Sequence, residues 1–135
     1  MSDTLTQATR SDEPILIVDD DPGVCAVLTR FLGRRGYAAT AYESPGLALA
    51  LLRDPTVRCS LLLSDLTMAE MDGLTLIRAA RALRPELTCL LLTGLGSNVP
   101  PETWLDAGAA GLVAKPIRTE EFLDAVRSAL DGPPA

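Results

Sequence analysis

Four short apolar runs in this chain each stop on a residue with a carboxylate, hydroxyl or ammonium side chain. Ile15-Leu16-Ile17-Val18 leads into Asp19-Asp20, and Leu61-Leu62-Leu63-Ser64 into Asp65. Leu90-Leu91-Leu92 leads into Thr93, and Gly111-Leu112-Val113-Ala114 into Lys115. Continuous apolar runs of this length, without polar alternation, suit strands buried on both faces of a parallel sheet. Such a sheet gathers the carboxyl ends of its strands on one edge, and ligands bind in the crevice there. The pattern predicts that Asp19, Asp20, Asp65, Thr93 and Lys115, remote in sequence, meet in space.

Helix signals fill the gaps between the runs. Asp21-Pro22 pairs an N-cap with a first-turn proline. Val24, Val27, Leu28, Phe31 and Leu32 then share one helical stripe, which Gly36 ends. Residues 38–42 read as a second strand. Ser44-Pro45 opens a helix through Leu52 that Asp54-Pro55 stops. Residues 59–64 read as the third strand. A loop through Gly73 follows, with Glu70 and Asp72 as solvated charges. The next helix turns Leu74, Ile77 and Ala80 inward and ends at Pro85. Residues 87–92 are the fourth strand, and Pro100-Pro101 starts a short helix to Ala107 in which Trp104 is partly core. Residues 111–114 are the fifth strand. Thr119 is expected to cap a last helix that buries Phe122, Ala125, Val126 and Ala129. Five strands and five helices in alternation predict an α/β domain with one parallel sheet covered on both faces.

Composition narrows the function classes. A chain of 135 residues, 47% hydrophobic, can fill one core and no more. The expected organisation is a flexible tail over residues 1–13, one domain over 14–131, and a short tail over 132–135. No apolar stretch has the length of a membrane span, and the N-terminus lacks an export pattern. Cys25, Cys59 and Cys89 are widely spaced and histidine is absent, which argues against zinc and for reduced thiols in a cytoplasmic protein. A net charge of −6 argues against a nucleic-acid surface.

The chemistry follows from charge. Two carboxylates about 4 Å apart repel by roughly 4 kcal/mol at an effective dielectric of about 20. Three at one sheet edge need either a retained proton or a hard cation, and oxygen-only ligands suit Mg²⁺. One carboxylate could also act as a nucleophile toward phosphorus, with Lys115 and Thr93 beside it to meet phosphoryl oxygens.

This constellation resembles the receiver domain of bacterial two-component response regulators. The pieces that match are residues 15–21, residues 63–73 around Asp65, Leu91-Leu92-Thr93-Gly94, and Ala114-Lys115-Pro116. The resemblance implies a (βα)5 flavodoxin-like, doubly wound sheet of strand order 2-1-3-4-5. It implies that Asp65 is the phosphoacceptor, supplied by a phosphohistidine of a histidine kinase or phosphotransfer protein. It implies Mg²⁺ held by Asp19, Asp20, Asp65 and the backbone carbonyl of Thr67, with Thr93 as switch hydroxyl and Lys115 as phosphate contact. A cis Lys115-Pro116 bond, autodephosphorylation tuned by Thr67 and Leu95, and a downstream protein effector are also implied, with no direct role for DNA or membrane. The chain could stand alone or be excised from a hybrid histidine kinase or longer regulator.

Three features depart from the family pattern, one of them Pro100-Pro101, which implies an unusual start to the fourth helix. Ala69 replaces the usual proline, which predicts a looser loop after Asp65. Leu112 replaces the usual aromatic that moves with Thr93. Two other classes compete: a docking module on the same fold that is never phosphorylated, and a phosphate-ester hydrolase. The hydrolase reading lacks an acid two residues past Asp65, where Thr67 stands.

Overall fold

Successive strand residues point to opposite faces of a sheet, and the apolar runs are sorted that way into two cores. Leu16, Val18, Leu62, Cys89 and Leu91 pack with Ala48, Leu49, Leu52, Leu76, Ile77 and Ala80 on one face. Ile15, Ile17, Leu61, Leu63, Leu90, Leu92 and Val113 pack with Leu28, Leu32, Phe122, Leu123 and Val126 on the other. This two-sided burial is why the strands read as unbroken apolar runs.

The computed structural model describes residues 13–94 and 98–132. Of the expected tails over 1–13 and 132–135, residues 1–12 and 133–135 lie outside the described residues, as does Leu95. Strands β1 (Pro14–Val18), β2 (Ala38–Tyr42), β3 (Leu61–Asp65), β4 (Thr88–Thr93) and β5 (Gly111–Ala114) alternate with helices α1 (Pro22–Arg34), α2 (Pro45–Arg53), α3 (Gly73–Leu83), α4 (Pro101–Ala107) and α5 (Thr119–Asp131). The sheet order is β2-β1-β3-β4-β5 with every pairing parallel, the doubly wound flavodoxin-like arrangement. Helices α1 and α5 cover one face; α2 and α3 cover the other, with Trp104 of α4 half-buried against that core.

Local chemistry sets most boundaries. Asp21 caps α1 by accepting the Gly23 N–H at 2.8 Å, and Ser44 caps α2 by accepting the Leu47 N–H at 3.2 Å. Asp72, expected to be merely solvated, caps α3 through the Thr75 N–H at 2.8 Å. Thr119 is not a cap: it is the first residue of α5, and the cap position is Arg118, which makes no side-chain cap bond. Glu120 and Glu121 in the first turn meet the helix dipole instead. Strands β3 and β4 also end one residue later than their apolar runs, on Asp65 and Thr93. Main-chain pairing does not depend on side-chain polarity, and it continues past the runs: Leu66 N–H donates to the Leu92 carbonyl at 2.8 Å, and Lys115 N–H to the Thr93 carbonyl at 2.6 Å.

Gly73 is where the fold bears most directly on Asp65. It is buried at the start of α3, and its N–H donates to the Leu66 carbonyl at 2.7 Å. A Cβ here would collide with the Asp65 carbonyl oxygen and lie 2.9 Å from Leu91 Cδ1. Gly73→Ala is expected to cost about 1–3 kcal/mol, the usual cost of overpacking, read as a lower midpoint in urea unfolding. An unchanged midpoint would contradict the close approach.

Candidate functional site

Each site residue is delivered by a strand end. Asp65 and Thr93 are the last residues of β3 and β4, and Asp19 and Lys115 directly follow β1 and β5. The β1–β2 ladder runs on to Asp19, whose N–H donates to the Tyr42 carbonyl at 3.2 Å. Asp19, Asp65 and Thr93 are buried, whereas Asp20 and Thr67 are exposed. The Lys115-Pro116 peptide is cis.

The side chains converge. One carboxylate oxygen from each of Asp19, Asp20 and Asp65 lies within 4.8 Å of the other two. Lys115 Nζ donates to Asp19 Oδ2 at 3.0 Å and is 2.8 Å from Asp65 Oδ1. Asp19 Oδ1 accepts the Asp21 N–H at 2.9 Å, and Asp20 Oδ2 accepts the Ala69 N–H at 3.1 Å. Three carboxylates against one ammonium leave a formal charge of −2 in this cluster.

The ionisation preferences record that imbalance. Burial pushes the Asp19 carboxyl above the usual carboxylate range; the Asp21 N–H and Lys115 oppose this, while the charge of Asp65 adds to it. Burial pulls the Lys115 ammonium down, but its hydrogen bonds to Asp65 and Asp19 and the charges of both outweigh that, so its pKa is raised. Lys115 is therefore a fixed cation at neutral pH.

The donor set fits a hard divalent cation such as Mg²⁺: three carboxylate oxygens and a residual charge of matching size. It offers nothing to soft metals. Cys25, whose thiol donates to the Asp19 carbonyl at 3.2 Å, is held protonated by burial and then by the charge of Asp19. Burial pushes Cys89 up to about 12.

Two participants in the site's surroundings were not visible in sequence. Glu70 is not just solvated: its Oε1 accepts from the Ser44 hydroxyl at 3.1 Å and from the Gly46 N–H at 3.4 Å. The Ala69 N–H is the other, and since every non-proline residue has an N–H, only the missing proline could have pointed to it. The loop that the absent proline predicted to be looser is tied at both residues.

The family model for the response regulator receiver domain matches residues 15–127. The transcriptional regulatory protein ZraR of Salmonella typhimurium is 34% identical over 116 residues, 86% of this chain and 26% of that protein. The chain spans about a quarter of the length of the curated relatives that head the comparison. A CheY-like response regulator receiver domain protein from Methanospirillum hungatei superposes with a TM-score of 0.81 at 29% identity, over 89% of this chain and 94% of that one. A response regulator from Burkholderia pseudomallei, solved with a phosphorylated aspartic acid, a calcium ion and citrate, gives a TM-score of 0.73 at 29% identity, over 90% of this chain and 76% of that one. None of the described helices is long and apolar enough to cross a membrane.

The charge balance can be read directly. In ion-free protein, a carbon-13 NMR titration should place the Asp19 carboxyl midpoint above the ordinary value of about 3.9. Lys115→Met removes a cation and a donor from the ionised form, so it should move that midpoint higher still. A wild-type midpoint at or below the ordinary value, or no response to Lys115→Met, would contradict the assigned charge balance.

Proposed function

This chain belongs to the response regulator receiver domain family, and on that premise we propose that Asp65 accepts a phosphoryl group from a phosphohistidine on a sensor kinase or phosphotransfer protein. The carrying observation is the double contact of Lys115, 2.8 Å from Asp65 and 3.0 Å from Asp19, inside a cluster that Asp20 completes. It supports an acceptor carboxylate with fixed positive charge already beside it.

In the proposed transfer an ionised Asp65 oxygen forms a bond to phosphorus as the bond from phosphorus to the histidine nitrogen breaks. The histidine leaves on the partner, because this chain has none. Phosphoryl transfer asks for position and charge neutralisation more than for covalent chemistry. Asp65, closing a buried strand, supplies a fixed nucleophile. Lys115 meets charge on the incoming oxygens, and the Thr93 hydroxyl donates to one of them. Asp19, Asp20, Asp65 and the Thr67 carbonyl would hold Mg²⁺, which when bound neutralises the remaining charge of the cluster and of the phosphoryl group. Protonation of Asp19 removes a ligand, so cation affinity falls as pH drops through its raised pKa.

The new phosphate would be felt first at Thr93 and Lys115, whose backbones are joined by a hydrogen bond of 2.6 Å. Both lead into the surface formed by α4, β5 and α5, where Leu105 and Leu112 are exposed. That surface is the proposed contact for a downstream protein in the cytoplasm. Moving a two-state equilibrium from 1:99 to 99:1 takes about 5.5 kcal/mol of differential stabilisation. The chain would turn over only its own phosphate, and its partners would be proteins rather than DNA. A docking module that is never phosphorylated is the competing reading. Leu112, 38% exposed where an aromatic is usual, is the observation that favours it.

Incubation with a small-molecule phosphodonor and Mg²⁺, followed by intact-mass measurement, separates the two. The phosphoacceptor reading requires a mass gain of one phosphoryl group, dependent on Mg²⁺ and absent from Asp65→Asn. No gain in the wild-type chain leaves the docking module, and a gain that persists in Asp65→Asn moves the acceptor elsewhere.

A further inference from the structure

The sheet has two edges, and they are protected unequally. β5 is four residues long and runs directly into Lys115-Pro116, where proline ends any further pairing. β2 has no such guard. Its five residues include no charge and no proline, and its register against β1 is unbroken from Ala38 to Tyr42, so no bulge bends it away. Tyr42 turns its carbonyl to the Asp19 N–H in the β1 ladder. Main-chain groups alternate sides along a strand, so the N–H and C=O of Ala39 and Ala41 point outward.

Two further features border this edge. Leu51 of α2 lines a groove with Ala38, Thr40 and Tyr42. Leu47, one turn earlier on the same stripe, is 57% exposed. Charge is divided along the strand. Arg34 and Arg35 stand exposed before it and Glu43 stands exposed after it, with Asp20 and Asp21 following the neighbouring β1 at that same end.

We propose that the β2 edge is the interface for a second copy of this chain, paired antiparallel about a two-fold axis through Thr40. In that register Ala39 and Ala41 of one copy meet Ala41 and Ala39 of the other. Each pair exchanges two main-chain hydrogen bonds, and the Thr40 side chains stand opposite each other. Antiparallel pairing brings the acidic end of each strand to the basic end of the other, so the charge match is made twice. Leu47 and Leu51 of both copies lose contact with water on the α2 side. The two sheets become one with their carboxyl edges facing opposite ways, which leaves Asp65 of each copy uncovered.

The test is sedimentation equilibrium of the full chain from micromolar to millimolar concentration, as wild type, Thr40→Lys and Leu112→Ser. The wild type is expected to pass from the mass of one chain to that of two and to stop there. Thr40→Lys sets two ammonium groups directly opposite across the axis, at a position exposed in the single chain, and should stay at one chain throughout. Leu112→Ser, on the β5 edge, should pair as the wild type does. A wild type that remains a single chain, or that assembles beyond two, overturns the proposal. So does a dimer that survives Thr40→Lys or is lost in Leu112→Ser, since either places the contact elsewhere. Hydrogen exchange checks the assignment without a variant: the amides of Ala39 and Ala41 should exchange more slowly as concentration rises. Rates that stay constant while the mass doubles would also overturn it.

Discussion

One ammonium stands between two carboxylates at the edge of a sheet, and most of the structure serves to keep it there. Asp19, Asp65 and Lys115 come from three strands, and the exposed solvent that would screen their charges is largely excluded from Asp19 and Asp65. Withdrawing carboxylates from water is costly unless they are paired and hydrogen-bonded. Lys115 meets that requirement for both at once, at 2.8 and 3.0 Å, and the Asp21 N–H adds a donor to Asp19. Asp20 brings a third negative charge that Lys115 cannot balance. The resulting deficit is one that an added positive charge would offset.

The two-faced core explains how such a cluster survives. The apolar residues Ile15 to Val18, Leu61 to Leu63 and Cys89 to Leu92 alternate between the two apolar clusters, so β1, β3 and β4 are gripped from both sides. The side chains at their ends inherit that rigidity. Gly73 shows how little slack remains, since even one methyl group there meets the Asp65 carbonyl. The phosphoryl group proposed for Asp65 would act on neighbours with few ways to yield other than through Thr93, Lys115 and the strands that lead to them.

Much of this was legible in the amino-acid order. Apolar runs long enough to cross the sheet, stopped by chemically distinctive residues, located the strands and the site together. Asp21-Pro22 and Ser44-Pro45 marked helix starts because a capping oxygen and a proline satisfy the same frayed turn. The strand order leaned on family resemblance, since alternation alone does not choose among parallel orders. The misread features share a cause: they depend on main-chain groups or on geometry between remote loops. Asp72 and Glu70 are acidic residues in a polar loop, and no local pattern distinguishes solvation from a cap or a bond to Ser44. Thr119 suits a cap by type, but the chain enters α5 one residue earlier and the acidic first turn does the work. Strands overran their apolar runs because backbone pairing continued past them.

The most direct test is a crystal of this protein soaked with Mn²⁺ as a heavier stand-in for Mg²⁺, examined by anomalous diffraction. The account predicts one strong peak at the carboxyl edge of the sheet, within coordinating distance of Asp19, Asp20, Asp65 and the Thr67 carbonyl. A map with no peak there, and Lys115 still the only cation beside Asp19 and Asp65, would contradict it.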